Sequence, residues 1–258
     1  MTARPPRVAI LSHRRCGASV VYRLVSPWLP TAALGGQPFE WAHAWGDVSQ
    51  CFHQRSRQEA AALLDARLRE GASFHHRQDT EAWDFNEMLL AGLKRAGYRV
   101  VWVDRALSVE RLFSLAMAQH LQCLGVADVE RWRARLAAGE QPPAIDPASL
   151  VQLVQAQAAS QRWLENALAG TGLPCLRLPY EALFRHGVAA ALETADELFA
   201  FAGLGMRQAL VDDASLLRFV FSGAFYTEGL ADHSATLHEA WLQIAAAVQQ
   251  LTSHDGGR

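Results

Sequence analysis

A β-branched apolar run that breaks into a cationic, glycine-bearing loop and resumes at once as a helical pattern constrains this chain more than any other feature. Val8-Ala9-Ile10-Leu11 leads into Ser12-His13-Arg14-Arg15-Cys16-Gly17-Ala18-Ser19, after which Val20, Val21, Leu24 and Val25 follow at helical spacing. Strand, loop and helix in that order converge the first N–H groups of the helix on one point, the geometry that cradles a phosphate. A Walker loop would close on Gly-Lys-Ser/Thr. No lysine lies here, Lys94 being the only one in the chain. The loop is therefore expected to hold a phosphate-bearing ligand without ordinary ATP–magnesium chemistry. Taken alone, it also fits a plain strand-to-helix connection with surface arginines.

At 258 residues and 50% apolar composition, the chain can bury one large core, with or without a helical appendage. A net charge of −2 argues against broad nucleic-acid or anionic-membrane binding, so any anion site must be a local concentration of arginine. Arginine and alanine dominate as in GC-rich bacterial coding. Cys16, Cys51, Cys123 and Cys175 are scattered, and Cys51-x-His53 has no second pair at zinc spacing. Reduced thiols, no metal site and a soluble, cytoplasmic protein are expected. No apolar run is long enough to span a bilayer.

Along the chain, 8–12, 74–76, 98–104 and 175–179 read as strands. Between and after them, 20–25, 58–70, 80–96, 109–124, 146–169, 188–202 and 234–251 read as helices. Ser108 and Asp146-Pro147 are helix starts, and Gly170 and Gly172 a stop. Residues 31–56 lack periodicity but are rich in Trp and His, while 125–145 form a charged, proline-ended insertion. The alternation predicts an α/β fold, a central parallel sheet flanked by helices on both faces. One domain over 1–258 is expected, with a helical insertion around 125–170 and a C-terminal lid or helix over 206–258. Trp83, Trp132 and Trp163 are assigned to apolar helix faces.

Four ordered segments together resemble the sulfotransferases that use 3′-phosphoadenosine 5′-phosphosulfate (PAPS), in the bacterial carbohydrate-, lipid- and metabolite-type branch. Arg15-Cys16-Gly17-Ala18-Ser19 is similar to the phosphosulfate loop. Arg105 after the strand Val101–Asp104, with Ser114 beyond it, looks like the 3′-phosphate segment. Tyr180-Glu181-Ala182-Leu183 and Pro38-Phe39-Glu40 match two further signatures. The likeness runs from residue 8 to about 205. Cys16 stands where that family usually has serine, Ala18 lacks a hydroxyl, and the Arg105-to-Ser114 interval is one residue longer.

The resemblance implies a P-loop-like fold and sulfuryl transfer from PAPS to a hydroxyl of a small-molecule, sugar or lipid acceptor, with 3′-phosphoadenosine 5′-phosphate (PAP) as product. Arg14, Arg15, Cys16, Gly17, Ala18, Ser19, Arg105 and Ser114 would bind the nucleotide. Arg15 would also offset charge on the leaving phosphate oxygen. Glu40 would be the general base, its basicity raised by burial among Phe39, Trp41 and Trp45, or else a solvated loop carboxylate. His13, His43 and His53 are rival bases, His43 lying closest to Glu40. His75-His76 would end a central strand facing the site or be satisfied in the core, and Asp104 could orient Arg105. Tyr180 and Glu181 are read as structural, and the aromatic loop 219–230 as a lid or an ordinary packed loop. A divergent nucleotide kinase or hydrolase and a non-catalytic nucleotide-binding protein are the alternatives. Monomer and homo-oligomer stay open.

Overall fold

The computed structural model describes residues 6–29, 34, 37–204, 227 and 229–255. Four strands form one parallel sheet: β1 (Val8–Ser12), β2 (Phe74–Arg77), β3 (Arg99–Asp104) and β4 (Cys175–Pro179), in the order β2-β1-β3-β4. Ala9 pairs with Phe74 on one side and with Val100 on the other, and Val103 pairs with Leu178. All of β1 and nearly all of β3 are buried, which is why both read as continuous apolar runs rather than alternating ones. β2 lies at an edge of this sheet, so His75 and His76 do not end a central strand as expected.

Alternate residues still go to different faces. Ala9, Leu11, Phe74, Val100 and Trp102 join helices α3 (Arg57–Glu70) and α4 (Trp83–Ala96) in one core through Leu64, Leu68, Phe85 and Leu89. Burying each such leucine contributes roughly 1.5–3 kcal/mol. The opposite parity, Val8, Ile10, Val101 and Val103, is buried too. Helix α1 (Ala18–Val25) packs beside β1 and β2 there. Chain order reverses between β1 and β3. Their carboxyl ends flank the crevice where open parallel sheets bind ligands.

The chain divides into two compact units, Met1–Asp104 with Trp163–Ser222 and Arg105–Arg162 with Gly223–Arg258. The first contains the sheet. In the second, Leu112, Phe113 and Met117 of helix α5 (Val109–His120) share a core with Val129, Trp132, Leu150, Val154, Leu237 and Ile244. Of the segment expected as an insertion, 125–162 falls in the second unit with α5 and the C-terminal helix Ala235–Asp255, whereas 163–170 falls in the first.

One helix arises where none was expected, and another opens the expected helical insertion in a stretch that shows little periodicity. Helix α2 (Gly46–Gln54) lies inside the supposedly irregular 31–56, and its buried face is Gly46, Val48 and Ser49, too small and polar to register as an apolar stripe. Helix α6 (Val126–Ala137) lies inside 125–145. It buries Val129, Trp132 and Leu136 beneath a run of charge, and Asp128 accepts the N–H groups of Leu124 and Gly125 at 3.0 and 3.2 Å. The long helix α7 (Pro147–Thr171) starts as its sequence dictates, with the Asp146 carboxylate accepting from the Ser149 N–H at 3.0 Å. Trp83 departs from the expected apolar face: it is 54% exposed and stacks on Trp163. Most of the 219–230 loop, and much of the expected lid, falls outside the described residues. Among the described residues, no helix is long and apolar enough to cross a membrane and no cluster of three metal-ligating side chains occurs. None of the four cysteines forms a disulfide.

Candidate functional site

The loop after β1 turns on two residues with left-handed backbone, Arg15 (φ 64°) and Gly17 (φ 78°). Gly17 is required twice over. Its φ disfavours a side chain, and a Cβ there would lie 3.0 Å from Cε2 of Phe184 and 3.1 Å from Cδ2 of Tyr180. The short helix α8 (Tyr180–Phe184) therefore presses on the loop, the structural part assigned to Tyr180. Helix α1 begins immediately after Gly17 with no side-chain cap and no acidic residue in its first turn. Its leading N–H groups, those of Ala18 and Ser19, point out of the helix end with the positive end of its dipole.

Arg14 faces elsewhere. Its backbone N–H and its Nε both donate to the carboxylate of Asp79, at 2.9 and 3.0 Å, and that carboxylate is only 4% exposed. Arg14 thus anchors the loop to the turn Gln78–Thr80 that follows β2. Cys16 and His13 are buried, Cys16 with its thiol 3.8 Å from the Arg14 carbonyl, whereas Arg15 is half-buried and Ser19 exposed. The Ser19 hydroxyl lies 3.5 Å from Nε2 of His75. Burial pushes His75 down to about 4, with the positive charges of Arg77, His76 and Arg23 adding to the shift. Burial also brings His76 to about 4, its Nε2 lying 3.0 Å from Oδ1 of Asn86. His76 is accordingly a satisfied core histidine. His75 is its counterpart on the other face, beneath α1.

Glu40 does not sit in the apolar nest expected of it. Phe39 and Trp45 turn inward and are buried, Trp41 is 57% exposed, and Glu40 is left on the outside. The tight turn 40–46 enforces this, since Gly46 approaches the Glu40 and Trp41 carbonyls so closely that a Cβ would lie 2.5 and 2.6 Å from their oxygens. Oε1 of Glu40 accepts from Arg77 at 2.5 Å, and Oε2 is 3.6 Å from Nδ1 of His43. That Nδ1 is also 2.6 Å from the Gln37 carbonyl.

Glu40 does border a cleft of about 450 Å³, together with Gln37, Phe39 and Trp41 of the same turn, His53 of α2, and His76, Thr80 and Glu81 on and after β2. Only one residue separates Asp79, which grips the loop, from Glu81. Glu81 accepts from the Ser49 hydroxyl through Oε1 at 2.9 Å, and its Oε2 is 2.9 Å from Nε2 of His53. Its carboxylate is 11% exposed. Glu81 was missed by sequence reasoning because it reads as the first turn of the helix after Thr80. The i, i+4 pair Ser49 and His53 was hidden by the unrecognised α2.

At the end of β3, Oδ2 of Asp104 accepts from Nε and Nη2 of Arg177 at 2.9 and 2.6 Å, and the Arg177 guanidinium lies over the Trp102 ring. Arg105, the next residue, opens the second unit and is buried, as is Ser114 on α5. Between them lies Arg111, fully buried and not singled out by its sequence. It donates to the Arg105 carbonyl at 3.2 Å, to Oε1 of Gln161 at 3.0 Å and to Oε1 of Gln157 at 2.8 Å. The sequence-predicted residues therefore group as the loop Arg14–Ser19, the Glu40, His43 and His53 turn-and-helix cluster, and the Arg105–Ser114 segment.

Compared with family models and with curated proteins, the chain matches none.

Proposed function

We propose that this chain is a PAPS-dependent sulfotransferase with a P-loop-like α/β fold. One observation carries the reading: a lysine-free, arginine-bearing loop at the carboxyl end of β1 runs through a left-handed glycine, Gly17, into a helix start with no side-chain cap and no acidic residue in its first turn. That arrangement suits a phosphate bound by backbone N–H groups and arginine. PAPS supplies an activated sulfuryl group and a 5′-phosphate leaving oxygen. The N–H groups of Gly17, Ala18 and Ser19 and the Ser19 hydroxyl would bind the 5′-phosphate, and Arg15 would offset the charge gathering on it. Arg105 and Ser114 would hold the 3′-phosphate. Glu40 or a neighbouring histidine would take the acceptor proton.

The kinase alternative is disfavoured because Asp104, its one acidic foothold after a strand, is taken up by Arg177. Titration calorimetry with PAP, and in parallel with ATP plus magnesium, tests the reading. Micromolar PAP binding with little binding of ATP is expected; ATP preference, or binding of neither, would overturn it.

A further inference from the structure

Within the cleft, whose Thr80 and Glu81 directly follow the Asp79 that grips the loop, His53 is the histidine whose ring is already set for proton transfer. Its Nε2 lies 2.9 Å from Oε2 of Glu81, so in the neutral ring Nε2 carries the hydrogen, donates it to Glu81 and leaves the Nδ1 lone pair open. Among the described residues Nδ1 has no hydrogen-bond partner. Glu81 is itself fixed, because its other oxygen accepts from Ser49, which is fully buried one helical turn before His53 on α2. The rival Glu40 could accept a proton only by giving up its ion pair with Arg77. His43 already uses Nδ1 toward the Gln37 carbonyl and does not line the cleft.

The cleft also limits what it admits. No arginine or lysine lines it. Of its two carboxylates, Glu40 is paired with Arg77, whereas Glu81 has only Ser49 and His53 as partners among the described residues, and the exposed indole of Trp41 offers a flat apolar face at its border. An anionic acceptor would meet repulsion there; an uncharged ring-bearing alcohol would not.

The geometry points to His53 as the group that takes the proton from the acceptor hydroxyl, with Glu81 as its positioning residue and an uncharged ring-bearing alcohol as acceptor. This inference rests on the sulfotransferase reading. As the acceptor oxygen bonds to sulfur, the bond between sulfur and the 5′-phosphate oxygen breaks and its electron pair leaves on PAP. The acceptor proton passes to Nδ1 of His53, while the Nε2 hydrogen stays on the ring against Glu81. The resulting imidazolium is paired with the Glu81 carboxylate.

The experiment uses the full chain with labelled PAPS and two acceptors of matched shape, p-nitrophenyl β-glucoside and the anionic p-nitrophenyl β-glucuronide. Calorimetry with PAP is run on every variant. His53→Asn is expected to lower kcat by about 100-fold or more, with the KM for the glucoside and the PAP affinity within about twofold of wild type. Glu81→Gln is expected to lower kcat by about tenfold at unchanged KM, with partial recovery in Glu81→Asp, a split that a purely structural ion pair would not give. The glucuronide is expected to be the poorer substrate. If His53→Asn keeps kcat within about threefold, or if Glu40→Gln produces the large kcat loss instead, the assignment of the proton acceptor is overturned. PAP binding without transfer to the glucoside, or equal transfer to the glucuronide, overturns the acceptor class. A wild-type protein that does not bind PAP overturns the sulfotransferase reading itself.

Discussion

The carboxylate of Asp79 accepts both the backbone N–H and the guanidinium Nε of Arg14, so a single buried acid grips one loop residue twice. Through this clamp the turn after β2 fixes the shape of the loop after β1, and the next residues of that turn, Thr80 and Glu81, border the cleft. Replacing Asp79 with alanine is expected to cost about 1.5–3 kcal/mol of unfolding free energy, the range for hydrogen bonds to charged groups. It is also expected to weaken PAP binding, although Asp79 itself would not touch the nucleotide. Urea unfolding and calorimetry on the same variant measure the two effects.

Gly17→Ala combines a backbone penalty with a collision. A left-handed residue with a Cβ costs about 1–2 kcal/mol, and the new methyl would press on Phe184 and Tyr180. Thermal unfolding should report a loss of at least that size. Gly97→Ala, with a similar φ of 72° and nothing within 4 Å of its Cβ, should show the backbone part alone.

The two histidines of β2 make stability fall in acid. Both are held near 4, below the 6.5 of an exposed imidazole, so between those values the unfolded chain binds more protons than the folded one. Stability is therefore expected to decline as pH drops from about 6.5 toward 4, by up to about 1.4 kcal/mol per pH unit for each histidine, and to be insensitive to them above 6.5. His76→Gln should make the slope shallower. Urea titrations at pH 7, 6 and 5 check both statements.

Glu40→Gln should leave stability within about 1 kcal/mol of wild type. Its ion pair with Arg77 joins two side chains that are 45% and 36% exposed, where such pairs contribute little. Any loss of transfer in this variant would then report on chemistry rather than on folding. Denaturant midpoints measured beside turnover make the separation.

Arg111→Met should be harmful without touching the cleft, since it removes the buried guanidinium that donates to Gln157, Gln161 and the Arg105 carbonyl. A loss of about 2–4 kcal/mol is expected, and the double variant with Gln157→Leu should recover part of it. Chemical denaturation of the two variants tests the coupling.

The central strands were legible because their burial is nearly complete, Val100 to Val103 reading only as an inner strand, and Asp146-Pro147 announces α7. What escaped the sequence did so for local physical reasons. The buried face of α2 is Gly46, Val48 and Ser49, so its periodicity carries almost no apolar signal, and with it went the alignment of Ser49 and His53 toward Glu81. Glu40 borders the cleft, but not in the apolar surroundings its neighbours suggest. Composition around residue 40 is aromatic, yet which rings turn inward is decided by the turn that Gly46 closes. Arg14 looks like a phosphate ligand in sequence, and only the fold reveals that its Nε donates to Asp79.

Gln37 serves the edge of the sheet as well as the cleft. Its side-chain oxygen accepts the N–H of Arg77 at 2.8 Å, while the Leu34 N–H donates to the Ser73 carbonyl at 3.0 Å, so polar groups at both ends of the short β2 find partners in this neighbouring stretch. An uncovered edge strand is a template on which a second molecule can pair. The glutamine that borders the cleft thus also occupies one of the polar groups such a pairing would use.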